Sequence, residues 1–121
     1  MIVTAWNNGR HHASGAGYGL KVAIADRDRC FDPGAAVVVL ELEGWDVPVT
    51  VNTAKASFWG PTCRELIDRA IGRWLRRQGL APWPEGRPPQ LRLEPLAPNR
   101  FAVRPLGGDT PPADTSQGGG R

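Results

Sequence analysis

Alternation of apolar and polar positions marks most of this chain, and helical spacing marks one stretch. Leu20, Val22 and Ile24 alternate with Lys21, Ala23 and Ala25, the period of a strand with one buried face, and the charged run Asp26-Arg27-Asp28-Arg29 closes it. Ala36 to Glu43 places Val38, Leu40 and Leu42 on one face. Val37, Val39, Glu41 and Glu43 fall on the other, so the uninterrupted face is the expected core face. Gly44-Trp45-Asp46 then makes a hairpin connection to Val47, Val49 and Val51, where Pro48 suits a sheet edge because it cannot donate to a ladder. Near the end, Leu91 and Leu93, a turn from Pro95 to Asn99, and Phe101 and Val103 describe a terminal β-hairpin. Ile2 to Trp6 is a further short strand, stopped by the turn-forming Asn7-Asn8-Gly9.

The helical stretch runs from Thr62 to Gln78. Thr62-Cys63-Arg64-Glu65 matches a capping box, in which the threonine and the glutamate three residues on each satisfy a free backbone N–H, and Phe58-Trp59 is placed to staple its entry. Cys63, Ile67, Ala70, Ile71, Trp74 and Gln78 fall in one half of the wheel, flanked by Leu66 and Leu75, and Gly79 is a natural stop. Its outer lane is Glu65, Arg69, Arg73 and Arg77. Strands, one helix and two more strands predict an α+β domain: a small antiparallel or mixed sheet of five to six strands with one amphipathic helix, about 62–78, packed on it. Residues 1–105 form that single domain. Residues 106–121 hold almost no large apolar side chain and are expected to form a disordered tail.

Charge adds a direction. Residues 1 to 60 carry five basic and six acidic groups, a net −1, whereas residues 61 to 121 carry ten and six, a net +4. All ten of those cations are arginine, the residue that forks best onto phosphate, although Arg, Ala, Gly and Pro are abundant throughout, as a GC-rich coding sequence also produces. Arg69, Arg73, Arg76 and Arg77 on the helix, with Arg92, Arg100 and Arg104 on the hairpin, are the candidate contacts to an RNA or DNA backbone, provided that the two faces adjoin. The leading expectation is therefore a nucleic-acid-binding accessory module.

A second candidate is catalytic. The polar connection after the first strand carries Asn7, Asn8, Arg10, His11, His12 and Ser14, and runs to Tyr18 and Lys21. Either histidine could serve as general base, the other or Tyr18 as acid, and Lys21 or Arg10 as charge stabiliser, a set sufficient for metal-independent RNA cleavage or phosphoryl transfer. Adjacent histidines in extended chain point to opposite sides, so a turn is needed to aim both at one substrate. The third reading is a protein-interaction module using a sheet edge or Pro82-Trp83-Pro84.

Other signals lead nowhere specific. Gly15-Ala16-Gly17-Tyr18-Gly19 has Leu20 where a dinucleotide fingerprint needs its third glycine, and it precedes a strand. Cys30 and Cys63 lack zinc-site spacing, Cys63 falls on the apolar stripe and is expected to be buried, and no cofactor or metal is implied. No leader or bilayer-length apolar run is visible, so no membrane partner and a cytoplasmic location are expected. Of the five tryptophans, Trp74 belongs to the helix core face, while Trp6, Trp45 and Trp83 are left undetermined between packing and recognition.

Overall fold

The computed structural model describes residues 1–106. Seven strands, β1 (Ile2–Asn7), β2 (Tyr18–Lys21), β3 (Val37–Leu42), β4 (Val49–Asn52), β5 (Glu65–Ile67), β6 (Gln90–Ala97) and β7 (Arg100–Pro105), form one sheet in the order β4-β3-β7-β6-β1-β2-β5. Every neighbouring pair is antiparallel except β3 and β7. The two outermost strands, β4 and β5, approach each other, so the sheet curls into a nearly closed barrel. Two short helices, α1 (Ile24–Cys30) and α2 (Arg69–Arg77), and one 3-10 turn, Ala56–Trp59, complete the described residues.

This architecture corrects the expected sheet of five to six strands covered by one helix over 62–78. Residues 65–67 are not helical: they pair with β2, Gly19 opposite Ile67, Leu20 opposite Leu66 and Lys21 opposite Glu65. The helix starts only at Arg69, and its cap is Asp68, whose carboxylate accepts from the Ala70 N–H at 2.9 Å. Thr62 and Asp68 are both capping residue types. The open edge of β2 decides between them, because a strand there satisfies a row of backbone groups and buries Leu66 completely. Glu65 accordingly pairs with Lys21 at 3.5 Å instead of closing a capping box, Phe58-Trp59 staples no helix entry, and Cys63 is exposed.

The second correction is α1. The alternation from Leu20 stops at Val22, and the charged run read as a strand ending becomes a helix whose Arg27 is buried. That guanidinium donates to the carbonyls of Phe58 at 2.9 Å and Gly60 at 2.7 Å and lies 5.4 Å from the Trp59 ring, which ties α1 to the 3-10 turn. The tail expected over 106–121 lies, beyond Leu106, outside the described residues.

Several expectations hold. Val38, Leu40 and Leu42 all face the core, as do Leu91, Leu93, Phe101 and Val103 of the terminal hairpin. Phe31, which follows α1, stacks on Phe101 with ring centroids 4.8 Å apart and meets Phe58 edge-on. From α2, Ile71, Trp74 and Leu75 enter the same core, and the Trp74 indole N–H donates to the Glu43 carbonyl at 2.7 Å, fastening the helix to the end of β3. No helix among the described residues is long and apolar enough to cross a membrane.

Candidate functional site

Strand alternation in β1 buries Val3 and Ala5 and turns Trp6 to the opposite face. The strand ends in a turn made by its own side chains: Asn7 Oδ1 accepts from Gly9 N–H at 2.9 Å, and Asn7 Nδ2 donates to Arg10 O at 2.8 Å and Gly17 O at 3.3 Å. The chain then folds back onto α2. Gly15 and Gly72 meet at backbone distance: a Cβ at Gly72 would sit 2.3 Å from the Gly15 carbonyl oxygen and 2.6 Å from Tyr18 Cδ2.

Two helix arginines hold this loop. Arg73 Nε donates to Ser14 O at 3.0 Å, while Arg76 donates through Nε to His12 O at 3.1 Å and through Nη2 to His11 O at 2.6 Å. Tyr18, beneath this loop, is fully buried. Burial pushes the Tyr18 hydroxyl above its ordinary 10.0, the charge and hydrogen bond of Arg76 pulling the other way, so the phenol keeps its proton at neutral pH. The Tyr18 hydroxyl is hydrogen-bonded to His11 Nδ1, 2.7 Å away. The other ring nitrogen of His11, Nε2, has no hydrogen-bond partner among the described residues.

Trp83 closes the arrangement. It lies after the cis Ala81–Pro82 bond, half-buried, with its ring edge-on to His11 at 4.7 Å and to Tyr18 at 5.6 Å between centroids. Trp6 and Trp83 both line a cleft of about 610 Å³, together with Asn7, His11, Glu85 and Pro88. Glu85 makes no ion pair or side-chain hydrogen bond among the described residues, and neither do the side chains of Arg10 and Arg87, which neighbour cleft-lining positions in the chain. The cleft is thus lined by two indoles, an acceptor-only carboxylate and an imidazole whose Nε2 is not engaged.

The residues named from sequence separate. His11 and Tyr18 meet, but His12 is exposed and has no place in the cleft, and Lys21 is engaged with Glu65. Of the arginines, Arg73 and Arg76 turn towards the loop, and Arg69 is exposed beside it, with its backbone oxygen against Gly15. Arg77 lies 4.6 Å over the Trp45 ring, and Arg104 approaches the Glu43 carboxylate at 3.8 Å. Arg104 also meets Glu94 at 3.7 Å and faces Arg92 across the hairpin, and Arg100 binds Glu41 at 2.5 Å. The seven therefore fall into a loop-holding group and an outer group around residues 41–45, not one lane. A smaller cleft of about 300 Å³ accompanies the outer group, lined by Glu41, Glu43, Trp45 and Arg104. Among the described residues no three His, Cys, Asp or Glu side chains gather as metal ligands. Glu85 was missed in sequence, whereas Trp6 and Trp83 were left between packing and recognition, Trp83 also within the Pro82-Trp83-Pro84 segment.

Comparison with protein-family models, characterised proteins and solved structures returns no match, so the functional reading rests on the site alone.

Proposed function

We propose that this chain is a single-stranded nucleic-acid-binding module that receives one unpaired base between Trp6 and Trp83. The observation that carries the reading is the cleft itself, two indoles from distant parts of the chain presented at one opening with hydrogen-bonding groups at its edge. Indole faces stack on any base, and such contacts are worth about 1–3 kcal/mol each by alanine substitution. Arg10 and Arg87, whose side chains have no partner among the described residues, supply cations next to the opening for the flanking phosphates. This keeps the nucleic-acid expectation but moves its centre. Arg73 and Arg76 are engaged with loop carbonyls, and Arg100 and Arg104 with glutamates, so the helix lane is a weaker anchor than the cleft.

Binding is favoured over cleavage by the same geometry. One imidazole lines the cleft, His12 does not, and Lys21 is paired on the β2–β5 side. The test is fluorescence anisotropy with a labelled single-stranded RNA and a duplex of the same sequence, at low and physiological salt. Single strands are expected to bind more tightly, with affinity falling as salt rises. Trp83→Ala and Trp6→Ala are each expected to raise Kd by about 5- to 150-fold, the range that 1–3 kcal/mol implies. Unchanged affinity in both variants, with folding intact, refutes the reading.

A further inference from the structure

The cleft's polar edge is selective, and we infer that it reads guanine; the inference rests on the base-binding reading above. Three side chains at the cleft carry polar groups suited to a base edge. Asn7 is removed from consideration because both ends of its amide are engaged in its own turn. His11 has Nδ1 engaged with Tyr18 and leaves Nε2 without a partner among the described residues. Glu85 is an exposed carboxylate with no partner among the described residues, and it lines the cleft.

A carboxylate accepts and never donates, with two oxygens side by side. Among the four bases, guanine alone presents two adjacent donors, N1–H and the N2 amine, spaced to meet both oxygens in a charge-assisted bidentate pair. Adenine and cytosine each offer one amine beside an unprotonated ring nitrogen, whose lone pair would face the carboxylate. Uracil offers one N–H flanked by two carbonyl oxygens. For these three the same carboxylate is partly repulsive, so discrimination comes from rejection as well as attraction. His11 Nε2, in the tautomer that carries its proton there, suits an acceptor such as guanine O6 or N7, and the indoles supply base-independent stacking. Because Glu85 is exposed, water competes for it, and the expected preference lies near the low end of the range for a bidentate contact, about tenfold.

The experiment is competition anisotropy on the full chain with four RNA hexanucleotides that are uridine throughout except for one central position, occupied by G, A, C or U. The guanine oligonucleotide is expected to bind about tenfold more tightly than the other three. Glu85→Gln exchanges one acceptor for a donor at an exposed loop position, and it is expected to reduce the preference to less than threefold, by weakening guanine binding and by relieving the repulsion of the other three. Equal binding of all four by the native chain, or a guanine preference that survives Glu85→Gln, overturns the inference. If binding in either case is still lost on Trp83→Ala, the base-binding reading stands without it. No binding of any oligonucleotide at low salt overturns both.

Discussion

Replacing a helix-interior glycine by alanine ordinarily stabilises a protein by about 1 kcal/mol, through helix propensity. Gly72 lies in the middle of α2, and there the opposite sign is expected. Its added Cβ would meet the Gly15 carbonyl oxygen at 2.3 Å, Gly15 Cα at 2.6 Å and Tyr18 Cδ2 at 2.6 Å, whereas real Cβ atoms essentially never come within 3.0 Å. The loop must therefore retreat by about 0.7 Å or more. It cannot do so freely, because Arg73 and Arg76 hold its carbonyls and Tyr18 is fixed in the core. Overpacking of this kind costs about 1–3 kcal/mol, and forced movement of backbone against backbone belongs at the upper end. Subtracting the propensity gain leaves Gly72→Ala destabilised by about 1–2 kcal/mol. Denaturant unfolding with a common slope measures this. Gly60→Ala is the control: its φ of −80° suits alanine and its nearest atom would be 3.5 Å away, so it should be neutral or slightly stabilising. Because the loop carries His11, Gly72→Ala should also weaken ligand binding in the cleft. A Gly72→Ala protein as stable as the native one would refute the close loop–helix packing on which the site depends.

Three further outcomes follow from the same contacts. The Tyr18 pKa is raised in the folded state, so the associated stability is complete below pH 10 and is lost as pH climbs from there through the folded value, at up to about 1.4 kcal/mol per pH unit; unfolding free energies of the native chain and Tyr18→Phe, compared at pH 9 and pH 11, should show the native chain losing more. Arg27→Met removes the donor to the Phe58 and Gly60 carbonyls and should cost about 3 kcal/mol by chemical denaturation, with a loss under 1 kcal/mol counting against the buried tie. Asp68→Ala should lower stability by about 1 kcal/mol while Thr62→Ala is near neutral, and a reversal of that order would restore the longer helix.

Local periodicity in this chain settled what one element can settle alone. The core faces of β3 and the terminal hairpin follow from alternation, because an uninterrupted apolar row has one stable destination. Trp74 belongs to the core on helical spacing for the same reason. The 62–68 segment shows where this stops: its apolar residues fit a helix wheel and a strand equally, and the choice depends on β2 lying open beside it, far back in the chain. The charged run at 26–29 hid α1, because an arginine that reaches two carbonyls of the 3-10 turn reads locally as a solvated group.

The candidate site divides along the same line. The amino-acid sequence by itself determined the chemical inventory: five indoles, an arginine-rich second half, a polar loop with two histidines, and a turn at Asn7-Asn8-Gly9. Only the tertiary structure decided which of these meet. It set Gly15 against Gly72, gave Arg76 to the loop, separated His11 from His12, and brought Trp6, Trp83 and Glu85 to the lining of one cleft. The physical reason is that a spacing rule describes neighbours within one element, whereas a cleft is made where strand register and helix docking bring distant parts of the chain together.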